Sequence, residues 1–150
     1  MAPPVTSLTG HLVDGVRLDD ADERIEVVNP ATERVIGTVP AGTAEQVNVA
    51  VGAARTAFEA WAATAVRERV AVVRRIADGI EARAGEFAAT MTAEMGTPIT
   101  FATRVQVPNP VNIIRGIADV AESGYFDDEQ LGNSLVVREP IGVVAAITPW

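Results

Sequence analysis

The sequence contains no cysteine and no lysine, and it has a single histidine, His11. Without cysteine the chain can form no disulfide, no thiolate nucleophile and no thiolate metal site. Without lysine it can form no Schiff base with a carbonyl substrate. His11 lies near the start of the chain with no partner group marked by a motif, so we predict neither a metal site nor a catalytic base there. We therefore expect no catalytic residue and no metal ligand among these 150 residues.

Long apolar runs and a net positive charge are also missing. The longest uninterrupted apolar run, Val143 to Ile147, is far too short to cross a bilayer. The first residues lack the charged start and apolar segment of a secretory signal. The formal net charge is −8, which repels nucleic-acid phosphates and anionic lipid headgroups. These absences predict a cytoplasmic protein that binds neither nucleic acid nor membranes.

The chain does have enough apolar residues, 48% of the total, to bury a core. Two β-branched runs, Arg24 to Val28 and Arg34 to Val39, flank a turn that begins Asn29-Pro30, and this pattern predicts an antiparallel hairpin. Four helices are predicted after it, starting at Thr43, at Thr64, after Gly85 and at Thr97-Pro98. No internal repeat is evident.

The first two helices carry regular apolar stripes, and the irregular fourth helix carries residues that suit a buried stripe, so we predict a buried face on each. The stripe of the first helix consists of Val47, Val51, Ala54, Phe58 and Trp61. The stripe of the second helix consists of Val66, Val70, Val73, Ile76 (or Ala77) and Ile80. The fourth helix carries Val105, Val111, Ile114, Ile117 and Ala121. Because Pro108 and Pro110 interrupt the fourth helix, we expect a kink, or a junction of two helices, near Asn109.

Strand patterns return near the end of the chain. Leu135 to Arg138 is a short candidate strand, and Ile141 to Thr148 is apolar on both faces. Runs that are apolar on both faces are typical of parallel sheets covered by helices on each side. No other run here has that character, so the sequence predicts an α/β protein interrupted at the first strand of a doubly wound sheet.

The sequence from Arg138 to Val144, Arg-Glu-Pro-Ile-Gly-Val-Val, followed by Thr148-Pro149-Trp150, resembles a signature of the aldehyde dehydrogenase superfamily. Three earlier blocks resemble the same family in the same order: Ile25 to Thr32, Phe58 to Trp61 with Arg67-Glu68-Arg69, and Ala93 to Pro98. The resemblance implies the N-terminal part of that fold. Residues 1–122 would form the hairpin and helices of the cofactor-binding domain, 123–139 part of the oligomerisation subdomain, and 140–150 the first strand of the cofactor-binding sheet.

The resemblance also implies site residues. Ile147, Thr148, Pro149 and Trp150 would contact the ribose and nicotinamide of NAD or NADP, at the carboxyl end of the first strand. Asn109, Asn112 and Ile113 would lie on the wall of the aldehyde channel, although Pro108 and Pro110 depart from the family's usual pattern there. Leu135 to Arg138 would be a strand of a homodimer or homotetramer interface.

The implied reaction is the oxidation of an aldehyde to its carboxylic acid. In this family the cysteine nucleophile, the glutamate base and the asparagine that stabilises the oxyanion would follow residue 150, so we expect the 150-residue chain alone to be inactive. Two alternatives stay open. The chain could be a non-catalytic remnant or pseudoenzyme that acts as a helical interaction module, or a stand-alone helical binding protein.

Overall fold

The computed structural model describes residues 8–18 and 23–148 and contains both helices and short strands. The strands are β1 (His11–Val13), β2 (Val16–Leu18), β3 (Arg24–Asn29), β4 (Arg34–Pro40), β5 (Glu129–Leu131) and β6 (Ser134–Val136). The helices are α1 (Ala44–Ala62), α2 (Val66–Ala82), α3 (Ala84–Met95), α4 (Ile99–Phe101) and α5 (Pro108–Val120), with π-helical turns at Ala102–Gln106 and Ala121–Tyr125. Each strand pairs with one neighbour in the sequence, and the pairs β1–β2, β3–β4 and β5–β6 form three antiparallel two-stranded sheets.

The predicted hairpin is confirmed as β3 and β4, with Ile25 opposite Val39. Its turn is set by Asn29, whose side-chain oxygen accepts hydrogen bonds from the backbone amides of Ala31 at 2.9 Å and Thr32 at 3.1 Å. Such local side-chain bonds are the reason why asparagine favours turns. Helix α1 then begins as predicted, because Thr43 and Gln46 form a capping box that satisfies two otherwise free amides.

The apolar face of α1 is not buried, which differs from the sequence prediction. None of its residues is fully buried, and Val47 and Trp61 are 57% and 47% exposed. Within the described residues, no helix or sheet covers this face along its length. A regular apolar stripe shows which residues share a face of the helix, but it does not show whether another element packs on that face.

Helix α3 ends at Gly96, which has a φ of +73°. A side chain there would be strained, because left-handed backbone is unfavourable for residues with a Cβ atom. It would also collide with the hairpin turn, since a Cβ atom on Gly96 would lie 2.9 Å from Cγ of Pro30. This glycine therefore lets the end of α3 pack closely against the turn between β3 and β4.

The break predicted near Asn109 lies slightly earlier, at Val107. The amide of Val107 donates to the carbonyl of Ala102 at 3.0 Å, a bond across five residues that closes the π-helical turn. Pro108 follows as the first residue of α5, where its missing N–H costs least. The predicted buried stripe is wrong at Val105 and Ile117, which are 45% and 60% exposed. Val105 lies inside the π turn, which changes its position relative to the residues of α5. Ile117 lies within α5 itself, and no described element covers it.

Buried residues lie where α3 meets this π turn and where α2 packs on α5. In the first region Val107 is 1% exposed and packs with Ala88 and Ala102, flanked by Phe87 and Met91. In the second, each helix contributes one buried valine and one buried alanine to the contact. These are Val70 and Ala77 of α2, and Val111 and Ala118 of α5.

The last part of the described chain differs from the prediction. Strand β6 ends at Val136 and pairs with β5, whereas residues 137–148 form no strand. Ile141 and Ile147 are 93% and 94% exposed. A β-strand needs hydrogen-bonding neighbours, and no described strand pairs with this run. In the described part of the chain, no helix is both long and apolar enough to span a membrane.

Candidate functional site

The three residues predicted to line a substrate channel lie together on α5. Asn109, Asn112 and Ile113 are all exposed, and helical spacing puts them on the face opposite Val111 and Ala118. Val111 and Ala118 are 3% and 1% exposed because they pack against α2. The structure thus places the predicted channel residues on one accessible surface, anchored from behind by a buried helix contact.

An apolar groove continues from Ile113 along the same face. Its cavity of about 360 Å³ is lined by Ile113, Gly116, Ile117, Val120, Ala121, Tyr125 and Phe126. None of these side chains is charged, and the rings of Tyr125 and Phe126 meet edge to face with centroids 5.3 Å apart. Val120 and Phe126 were not predicted as groove residues from the sequence, although the helical spacing of Ile113, Ile117 and Val120 indicates a shared face of α5.

A second cavity, of about 350 Å³, separates the end of α1 from the segment after β6. It is mainly apolar, with Trp61, Val70, Phe126 and Pro140 among its lining residues. Arg138 stands at its edge and donates to the backbone carbonyl of Asp127 at 3.1 Å, while its guanidinium lies 5.1 Å from the ring centroid of Tyr125. These contacts hold the Arg-Glu-Pro segment beside the helices.

The predicted cofactor residues are only partly described. Ile147 and Thr148 are exposed and lie in the segment without regular structure, while Pro149 and Trp150 lie outside the described residues. Upstream in the same segment, Gly142, Val143 and Ala145 border a cavity that Val51, Arg55 and Phe58 of α1 also line. The contact of Ile147 and Thr148 with a nucleotide stays a prediction.

Charges behind the α5 face form two arginine-centred clusters between α2 and α5. Arg74 contacts Asp119 and Glu122 at 2.7 and 2.6 Å, and Arg115 contacts Asp78 and Glu81 at 2.8 and 2.7 Å. Hydrogen bonds to the carboxylates raise the pKa of both arginines, and the bond from Arg115 lowers the pKa of Glu81. These clusters connect α2 to α5 through exposed side chains.

Within residues 8–18 and 23–148, no group of three or more His, Asp or Glu side chains is arranged to hold a metal ion. His11 lies on β1, and its Nε2 atom is buried without a hydrogen-bond partner. His11 borders a cavity that Gly42, Gln46 and Val47 also line. None of the predicted channel residues lines this cavity.

The sequence profile of the aldehyde dehydrogenase family matches residues 17–150. This chain belongs to the aldehyde dehydrogenase family. The curated relatives include a 3-succinoylsemialdehyde-pyridine dehydrogenase from a Pseudomonas species, 39% identical over 83% of this chain and 26% of the relative. A putative aldehyde dehydrogenase from Staphylococcus epidermidis is 34% identical over 96% of this chain and 30% of the relative.

Solved aldehyde dehydrogenases share the fold of this chain. Aldehyde dehydrogenase C of Pseudomonas syringae, solved as a mutant in complex with NAD+ and octanal, superposes with a TM-score of 0.85 at 35% identity, over 94% of this chain and 29% of that one. Lactaldehyde dehydrogenase of Escherichia coli gives a TM-score of 0.75 at 33% identity, over 88% and 27%. The chain therefore has the N-terminal part of the aldehyde dehydrogenase fold and spans about a quarter to a third of the length of these relatives.

Proposed function

We propose that this chain is the N-terminal part of an enzyme that oxidises an aldehyde to its carboxylic acid with NAD or NADP. The family membership over residues 17–150 carries the proposal. The enzyme's cysteine, glutamate and asparagine would come from sequence beyond residue 150, because the chain contains no cysteine at all. The protein would act in the cytoplasm as a homodimer or homotetramer.

The proposal assigns each region of the chain a task. Residues 1–122 contribute the hairpins and helices of the cofactor-binding domain, 123–139 part of the oligomerisation subdomain, and 140–150 the first strand of the cofactor sheet. In that sheet Ile147, Thr148, Pro149 and Trp150 contact the nucleotide. The high exposure of Ile141 and Ile147 supports this assignment, because an apolar run of this kind is stable only when flanking strands and helices cover it.

The exposed face of α5 forms the channel wall in this proposal. Asn109 and Asn112 offer amide groups, and Ile113 begins the uncharged groove that Ile117 and Phe126 continue. An apolar wall favours aldehydes with apolar chains over hydroxylated ones, since a buried hydroxyl without a partner is costly. The relative from Pseudomonas syringae, solved with octanal, supports a substrate of the first kind.

The decisive experiment measures aldehyde-dependent reduction of NAD+ and of NADP+ by the complete natural protein, with octanal, an aromatic aldehyde and lactaldehyde as substrates. We expect turnover by the complete protein and none by the 150-residue chain. Turnover of none of the aldehydes with either nucleotide would instead favour the non-catalytic interaction module.

A variant tests the channel wall in the same assay. Ile113→Asn should raise the KM for octanal about tenfold and change the KM for lactaldehyde much less, because it introduces a polar group into the apolar wall. Val49→Asn is the matched control, since Val49 is 50% exposed on α1 and borders none of the α5 cavities described above. Equal effects of the two substitutions on octanal would remove Ile113 from the channel.

A further inference from the structure

Two twelve-residue stretches of the chain share one sequence pattern. Residues 70–81 and 111–122 both read Val-x-x-x-Arg-x-Ile-Ala-Asp-x-x-Glu, so six of the twelve positions are identical. The first stretch lies in α2, and the second covers most of α5 and the start of the π-helical turn after it. The sequence prediction that the chain contains no internal repeat is therefore wrong for these two helices, because their shared positions are spread along a helix face and interrupted by unlike residues.

The two stretches contact each other through equivalent atoms. Nη2 of Arg74 donates to Oδ1 of Asp119 at 2.7 Å and to Oε2 of Glu122 at 2.6 Å. Nη2 of Arg115, the equivalent arginine, donates to Oδ1 of Asp78 at 2.8 Å and to Oε2 of Glu81 at 2.7 Å. Each arginine thus binds the aspartate and the glutamate of the other stretch through Nη2 and at nearly the same distances. Arg115 makes one further bond, from Nη1 to Oε1 of Glu81 at 3.2 Å.

The apolar contacts repeat in the same way. Val70 and Val111 are each 3% exposed, and Ala77 and Ala118 are 0% and 1% exposed. Arg74, early in its stretch, contacts residues late in the other, so the helices run antiparallel. The pair therefore has an approximate two-fold axis between α2 and α5, with equivalent residues exchanging roles across it. This is the arrangement that defines an isologous interface, in which the same surface is used on both sides.

A surface that is complementary to a near copy of itself is also complementary to itself. We propose that α2 and α5 carry a self-complementary helix face, so that the partner this face fits is a second copy of either helix, including one supplied by a second copy of this chain. Two chains could then exchange helices and form a dimer through α2–α2 and α5–α5 contacts. Which pairing forms is decided by charge, because exposed ion pairs set partner choice more than they add stability.

Reversing the charges of only one helix tests this proposal in the 150-residue chain. The variant Arg74→Glu, Asp78→Arg, Glu81→Arg places like charges opposite each other in all four contacts between α2 and α5. The altered α2 face is still complementary to itself, because its new glutamate would meet the two new arginines of a second copy. We expect the mass measured by light scattering to rise from the wild-type value toward twice 15.8 kDa, the mass of two chains. The helical circular dichroism signal should be retained.

Two controls accompany this variant. Adding Arg115→Glu, Asp119→Arg and Glu122→Arg restores opposite charges within one chain, and should return the mass to the wild-type value. The variant Arg75→Glu, Glu59→Arg, Glu68→Arg makes the same change in net charge outside the four contacts, and should leave the mass unchanged. The dimer should also weaken at about 1 M salt, where exposed charges are screened beyond about 3 Å.

Each other outcome would overturn the proposal. A folded monomer after the α2 reversal would mean that these charges do not select the pairing. Unfolding or aggregation of that variant, with or without rescue by the second set of substitutions, would mean that the altered face does not pair with its own copy. A dimer that forms equally in the net-charge control would assign the association to another surface.

Discussion

Gly96 is the position where a single methyl group should have a large and calculable effect. It ends α3 with a φ of +73°, and a Cβ atom there would lie 2.9 Å from Cγ of Pro30. The left-handed backbone costs an alanine about 1–2 kcal/mol, and overpacking against the proline ring adds about 1 kcal/mol or more. We expect Gly96→Ala to lower the free energy of unfolding by about 2–3 kcal/mol.

Urea unfolding followed by circular dichroism measures this loss, and thermal unfolding should show a melting temperature on the order of 5–10 °C lower. Gly52→Ala is the matched control, because Gly52 lies inside α1 and nothing lies within 4 Å of its added Cβ atom. This control should stabilise the chain by about 0.5–1 kcal/mol, the usual gain of alanine over glycine in a helix.

The two causes at Gly96 separate in a double-mutant cycle with Pro30→Ala, which removes the Cγ atom. In that background Gly96→Ala should cost only the backbone part, about 1–2 kcal/mol. A Gly96→Ala variant as stable as wild type would refute the reasoning. If Gly96→Ala lowers the free energy of unfolding equally with and without Pro30→Ala, the contact with the hairpin turn makes no contribution.

Two further predictions concern the start of α1 and the acid stability of the ion pairs. Thr43→Ala removes both the acceptor for the Gln46 amide and the capping box, and should lower the free energy of unfolding by about 1 kcal/mol in urea, whereas Thr56→Ala, inside the same helix, should not. Because Arg115 lowers the pKa of Glu81 and Arg83 lowers that of Glu86, the charged carboxylates stabilise the fold above their ordinary pKa of 4.5, and this contribution is lost as the pH falls below that value. The urea concentration at the unfolding midpoint should therefore decrease as the pH is lowered from about 5 to about 3. This decrease should be less steep in Glu81→Gln, and an equally steep decrease in that variant would contradict the role given to Glu81.

Local signals predicted several elements correctly. Asn29-Pro30 gave the turn of the β3–β4 hairpin and Thr43 with Gln46 gave the start of α1, because these structures depend on bonds between residues close in sequence. The channel residues on α5 were placed by resemblance to the family, and the structure gathers Asn109, Asn112 and Ile113 on one exposed face. Their role stays a prediction until the enzyme assays are done.

Other features depended on contacts between distant residues. The exposure of Trp61 and Ile117 could not be read from helical periodicity, because a stripe shows which residues share a face and not whether an element covers that face. Likewise the apolar run that contains Ile141 and Ile147 has strand-like residues but no described neighbour strand, so it forms no ladder.

The sequence by itself determined the family, the β3–β4 hairpin with the helical region after it, and the absence of any cysteine chemistry within these 150 residues. Only the tertiary structure decided that Arg74 meets Asp119 and that Arg115 meets Asp78, and so revealed two matching helix faces related by an approximate two-fold axis. The physical reason is that the shared pattern can be read from the sequence, whereas the contacts between its side chains depend on the antiparallel packing of two helices far apart in sequence.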